Sequence, residues 1–129
     1  MEEKLIHQMR LENGLTLELV ERSKKVALDR YFISLLARMT IPVEAKWFGA
    51  SPQAEHQARS IASALGRSLV YEKKLERNFV DEKEKESIVN DFCHSIESHL
   101  ARYYAHPDFP KKFILMQYEA FLKQSAPPR

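Results

Sequence analysis

Leu69-Val70-Tyr71-Glu72-Lys73-Lys74-Leu75-Glu76-Arg77-Asn78-Phe79-Val80 decides the fold, because it fits two periods at once. Read as a strand, Leu69, Tyr71, Lys73, Leu75, Arg77 and Phe79 share one face, and Val70, Glu72, Lys74, Glu76, Asn78 and Val80 the other. Read as a helix, Tyr71, Leu75 and Phe79 recur four apart on one side. Gly66 upstream is a helix-ending residue and Asp81 downstream a helix-starting one, so a strand fits better between them.

Downstream, Asp81-Glu82-Lys83-Glu84 supplies an Asp cap and an acidic first turn that suits the helix dipole. Ile88, Val89, Phe92, Ile96, His99, Leu100 and Tyr103 then mark a helical stripe that Pro107 stops. After a His106–Pro110 loop, Phe113, Ile114, Tyr118, Phe121 and Leu122 predict a second helix, although Phe113-Ile114-Leu115-Met116 also suits a strand. Ser125 to Arg129, with Pro127-Pro128, reads as a frayed tail.

Upstream, Asn13-Gly14 suggests a hairpin. A two-residue turn would pair Arg10 with Leu17 and Gln8 with Leu19, mixing polar and apolar on one face. A three-residue loop, Glu12-Asn13-Gly14, pairs Met9 with Leu17 and His7 with Leu19, and sets Arg10 opposite Thr16. A one-residue slip reverses every face, so the second register is the one predicted, with Gly14 in the left-handed position. Glu21 to Asp29 reads as a polar connection, too long for a tight turn and with room for a helical turn. Tyr31 to Val43 alternates as the central strand, weakening at Pro42. Ser51-Pro52 starts a helix whose stripe is Ala54, Ala58, Ile61, Ala62 and Leu65, and Gly66 ends it. Trp47-Phe48 precedes it as a plug at the sheet end. The expectation is a single α+β domain with an antiparallel four-stranded sheet in β-β-β-α-β-α-α order, packed against helices.

The totals exclude several function classes. The 129 residues carry three glycines, too few for a Walker or Rossmann phosphate loop. Cys93 is the sole cysteine, which forbids an intrachain disulfide and fits a reducing compartment. The amino terminus lacks the build of a signal peptide, and the uncharged run Tyr31–Ala37 is far short of a spanning helix, so a cytoplasmic protein without a membrane partner is expected. A formal net charge of +2 does not by itself imply nucleic acid.

Candidate chemistry is sparse. Cys93 and His94 diverge by about 100° on a helix, and Cys93 lies beside the apolar stripe, where a thiol packs as a small hydrophobe. The histidines lack ligand spacing, with no H-E-x-x-H pattern, and His99 reads as a core histidine. No catalytic residue, metal or cofactor is expected. Lys73 and Arg77, on the apolar face with Tyr71 and Phe79, fit an edge strand guarded by charge, or an anion site bounded by the two rings. Phe109 with Lys111 and Lys112 offers a second basic-aromatic patch, the combination single-stranded nucleic acid takes. The leading expectation is a non-enzymatic protein–protein interaction module that self-associates as a homodimer. The alternative is a nucleic-acid or phosphate-ligand binder using Lys73, Arg77, Lys111 and Lys112. An enzyme would need a pocket converging on His99, Tyr103 or Glu72.

Overall fold

The computed structural model describes residues 3–125. Its elements run β1 (Lys4–Arg10), β2 (Thr16–Glu21), β3 (Lys24–Ala27), β4 (Arg30–Pro42), α1 (Pro52–Leu65), β5 (Ser68–Asp81), α2 (Lys85–Ser95), α3 (Ala101–Ala105) and α4 (Phe109–Ser125). The fold is α+β on an antiparallel sheet of five strands. The chain divides into two compact units: the described residues up to Met39 with Tyr71–Ala105, and Thr40–Val70 with the described residues from His106 on. Of the expected frayed tail, Ser125 closes α4, and residues 126–129 lie outside the described residues.

In the first unit, the hairpin adopts the bulged register. Met9 faces Leu17, Arg10 faces Thr16 and His7 faces Leu19. Gly14 takes φ 91°, its N–H donates to Leu11 O at 3.0 Å, and Leu11 N donates to Leu15 O at 2.8 Å. Only glycine enters that left-handed region without a Cβ penalty. A further bulge at Ile6 turns Leu5 away from the face that His7 shares.

The fifth strand corrects the expected connection. Residues 24–27 are not a polar coil but β3, joined to β4 through a turn at Leu28-Asp29. Its register continues that of β2: Lys24 faces Phe32 three residues along from Glu21 facing Leu35. Between them Arg22 N donates to Ser34 O at 2.9 Å, while Ser34 N donates to Ser23 Oγ at 3.1 Å. A serine hydroxyl thus stands in for a backbone carbonyl, and the row is interrupted without leaving the edge of β4. The sheet has five strands but four rows, which is why period-two counting expected four.

Ile33, Leu35, Ala37 and Met39 on β4 are fully buried, and so are Leu17 and Leu19 on β2. Ile33 packs with Val80, Ile88 and Val89, joined by Ile6, Tyr31, Phe92 and Cys93, so α2 covers this face of the sheet. Each such aliphatic side chain contributes about 1.5–3 kcal/mol relative to exposure. On the other face Val20 and Leu36 are also buried, on the side where Arg38 bonds Glu18 and Glu3, each at 3.3 Å. Arg22 adds its own contact to Glu3. Long cationic stems cover apolar surface there while their heads pair at the rim.

The helix after β5 departs from its predicted stripe. Ile96–Leu100 forms a π-helical segment between α2 and α3. The wider turn rotates everything after it by about one position, so Tyr104 is fully buried, whereas His99 and Tyr103 are exposed. The expected core histidine is therefore a surface one.

In the second unit, Ser51 Oγ accepts from Ala54 N at 3.2 Å and Pro52 opens α1, as the sequence predicts. Ala54, Ala58 and Ile61 are buried, and α1 packs on α4, where Phe109, Pro110 and Ile114 are buried. The Phe113–Met116 run is helical, and the helix begins at Phe109 rather than after Pro110. Trp47 Nε1 donates to Pro42 O at 2.8 Å, which fixes the indole at the strand's end.

Two substitutions test this account. Gly14→Ala should cost about 1 kcal/mol through its left-handed φ, and Ile33→Ala about 2–5 kcal/mol through the cavity left in the core. Urea unfolding midpoints measure both, and an unchanged midpoint for either variant would contradict its stated cause.

Candidate interaction surface

Tyr71, Lys73, Arg77 and Phe79 are all on β5, but the strand does not present them together. Tyr71 turns toward the helices: its ring meets Tyr104 edge-on at 5.2 Å, and the two hydroxyls are 3.1 Å apart. Burial, then the Tyr71 hydroxyl, push the Tyr104 phenol above its ordinary range. The Arg77 guanidinium lies over the Phe92 ring at 5.7 Å, on the same helix-facing side. Lys73 is exposed between them. The tyrosine ring and the guanidinium are thus engaged within the unit, and Lys73 and Arg77 stand about 13 Å apart along the strand.

Phe79 breaks the expected face. It takes φ 58°, a left-handed conformation rare for an aromatic residue, and the next residue resumes the strand on the opposite parity. Val80 is therefore buried and Phe79 is 63% exposed. The sequence placed Phe79 inward because alternation allows no such insertion. Phe109 is likewise not an open platform: it is buried and stacked on Phe113 at 6.3 Å, while Lys111 and Lys112 are exposed.

What Phe79 joins is the tip of the β3–β4 hairpin. The Arg30 guanidinium lies 5.6 Å from the Phe79 ring centroid and 2.7 Å from Asp81 Oδ2. Glu82 N donates to Asp29 O at 2.8 Å, tying the end of β5 to the turn. Beside this clasp Leu28 is 89% exposed and Val26 is 44% exposed. Phe79 thus faces solvent beside the ion pair, and Leu28 faces solvent in the turn that the Glu82 N–Asp29 O bond ties to it. The other exposed apolar residues are scattered: Met116 and Leu122, for example, are six apart on α4, about 120° around the helix. The sequence pattern does not reveal Val26 and Leu28, because Glu21–Asp29 reads as a polar connection. The available signal was the apolar run Val26-Ala27-Leu28 inside it.

Asp81 holds the clasp. Its Oδ1 accepts from Lys83 N at 2.9 Å, and that bond, then the one from Arg30, hold its carboxyl below the ordinary aspartate range.

Little else converges. Cys93 is half-buried against the core, and burial, then the Glu97 and Glu21 carboxylates, push its thiol up, away from nucleophilic character at neutral pH. His7 pairs with Glu97 at 3.5 Å, and His94 Nε2 meets Ser98 Oγ at 3.3 Å. Among the described residues no group of three His, Cys, Asp or Glu is placed to hold a metal. An open cleft of about 300 Å³ in the second unit has an alanine floor, Ala45, Ala58 and Ala62, and an ion pair, Glu55–Arg59 at 3.8 Å, at its side. Among the described residues no helix is long and apolar enough to cross a membrane.

No protein-family model matches this chain, and no curated protein or solved structure gives a significant match to it.

The depressed Asp81 value fixes a pH dependence. Because the carboxyl is more acidic folded than unfolded, its contribution is present above the unfolded value and is lost as pH falls through the folded one. An NMR titration should place the Asp81 midpoint below about 3.9, the free aspartate value. Asp81→Asn should remove this contribution from the acid limb of a stability–pH curve. A midpoint at or above the free value would mean that the clasp is not formed in solution.

Proposed function

We propose that this protein is a small non-enzymatic interaction module that self-associates, and that it works in the cytoplasm. The observation that carries the reading is the exposure of Phe79, beside the Arg30 guanidinium, and of Leu28, next to Asp29, on the two segments that the Arg30–Asp81 and Glu82–Asp29 bonds join. Phe79 is held in a left-handed backbone conformation that costs about 1–3 kcal/mol, and the fold tolerates that cost while turning the ring outward. A strained residue whose effect is to expose an aromatic ring is better explained by a partner than by folding. Two features add support: the described titratable groups form surface ion pairs rather than an acid–base constellation, and the lone thiol suits a reducing compartment.

The free edge of β5 is the less suitable surface. Among the described residues this 14-residue strand pairs with β4 alone, but Glu72, Lys73, Lys74, Glu76 and Arg77 are exposed along it. Charges in such density guard an edge against strand addition. The nucleic-acid or phosphate reading retains Lys73, Lys111 and Lys112 as exposed cations, but Tyr71, Phe109 and Arg77 make contacts within their own units.

Light scattering across a protein concentration series should give an apparent mass rising from one chain toward two. A single-chain mass at the highest concentration would end the self-association reading. Phe79→Asn separates strain from function, since asparagine tolerates the left-handed region. The variant should be as stable as the parent or up to about 1 kcal/mol more stable, yet should associate more weakly. Undiminished association would remove Phe79 from the contact.

A further inference from the structure

The loop between β1 and β2 holds the most deamidation-prone pair in the chain. Asn13 is followed by glycine, whereas Asn78 and Asn90 are followed by Phe79 and Asp91. A backbone nitrogen attacks the preceding asparagine amide most readily when its own residue has no side chain, and such reactions make asparagine thermolabile. In the fold, the groups that the reaction needs are all engaged. Gly14 N donates to Leu11 O at 3.0 Å, Asn13 Oδ1 accepts from Leu15 N at 3.1 Å, and Asn13 Nδ2 donates to Tyr104 O at 2.7 Å. Asn13 is half-buried and Gly14 is exposed, so water reaches the pair in the native fold.

The bond to Tyr104 is the one that crosses the fold. Tyr104 is the penultimate residue of α3, and the final carbonyls of a helix have no intrahelical N–H to accept from. Asn13 thus caps the helical run that extends from Lys85 through the π-helical turn to Ala105. Its amide nitrogen is the group that deamidation removes.

We propose that Asn13 is a gated modification site, which deamidates when the loop opens from Tyr104 and whose product holds the loop open. The Gly14 nitrogen attacks Asn13 Cγ. The new C–N bond replaces the Cγ–Nδ2 bond, and the Gly14 amide proton departs with Nδ2 as ammonia. Water then adds to one carbonyl of the cyclic imide and opens it, leaving aspartate or isoaspartate and releasing a proton. No oxidant or reductant takes part. Aspartate sets an acceptor against the Tyr104 carbonyl and adds negative charge at the carboxyl end of the helical run, where the dipole is already negative. Isoaspartate also lengthens the backbone by a methylene, inside a loop that Leu11 N closes on Leu15 O at 2.8 Å. Nothing in this chemistry depends on self-association.

The parent chain supplies the first test, at mildly alkaline pH with and without urea. Trypsin, cutting after Arg10 and Arg22, isolates Asn13 as the one asparagine of its peptide, where mass and isoaspartate content report the reaction. Asn13 should deamidate at least about tenfold more slowly in the native chain than in urea. The native rate should nevertheless exceed what the globally unfolded fraction supplies, because opening the loop is local. Equal rates in both conditions would show that the bonds do not hold the amide. A native rate matching the unfolded fraction would remove the gate at Tyr104. Gly14→Ala should slow the reaction in urea, since its methyl hinders the attacking nitrogen, and an unslowed variant would exclude Gly14 as the nucleophile. Asn13→Asp, the product, should speed amide hydrogen exchange across Ala101–Ala105 by about tenfold. Unchanged exchange there would mean that the helix end does not depend on Asn13, and the proposal fails. The rate comparison uses the parent alone, so it decides the matter even if Asn13→Asp does not fold.

Discussion

β4 is hydrogen-bonded along both edges and buried on both faces, and the other elements of the first unit are placed by it. Its odd-numbered residues from Ile33 to Met39 have no exposure, and on the opposite face Ser34 and Leu36 are buried too. Backbone groups buried in that position must find partners in neighbouring strands: β2 and β3 pair with β4 in one register, and β5 pairs with it as well. Register in turn fixes faces. Once Val20 faces Leu36 and Leu19 faces Ala37, the side of the sheet that α2 covers is determined.

Whatever followed an uninterrupted period was legible in the sequence. The hairpin register came from requiring like faces on the two strands, and the α1 boundaries from Ser51, Pro52 and Gly66. The β5 stretch resolved to a strand because its flanks carry helix stop and start signals, and Leu69, Tyr71 and Leu75 are its half-buried positions. What was illegible came from single-residue insertions. The bulge at Ile6, the left-handed Phe79 and the π-helical turn at Ile96–Leu100 each advance the phase by about one position. Neither alternation nor a helical stripe encodes such a step, so Phe79 and Val80 exchange roles, as do Tyr103 and Tyr104. β3 was missed for a different reason: Lys24 and Lys25 are exposed, so the strand buries nothing that a pattern of burial would reveal.

These insertions differ in what they accomplish. The π-helical turn brings Tyr104 into the interior, where its hydroxyl meets Tyr71 and its carbonyl accepts from Asn13 Nδ2 at 2.7 Å. That serves packing, because one buried residue closes contacts to β5 through its ring and to the hairpin loop through its carbonyl. The step at Phe79 does the reverse. It expels a large aromatic ring from a strand face that had room for its alternate, Val80, and leaves the ring against solvent under Arg30.

That asymmetry separates surface that is merely exposed from surface that is arranged. Leu5 and Val70 are exposed because each lies at the periphery of a sheet whose interior is already full, and isolated apolar residues of that kind are ordinary. Leu28 and Phe79 are exposed together on two elements from opposite edges of β4, joined by Glu82 N to Asp29 O and by Arg30 to Asp81. Apolar residues carried on segments tied in this way lose less entropy on binding than those on a loose loop, and preorganisation of that kind favours association. The charged edge of β5 completes the logic, because Lys73, Lys74 and Arg77 discourage the open-ended strand addition that a bare edge would invite.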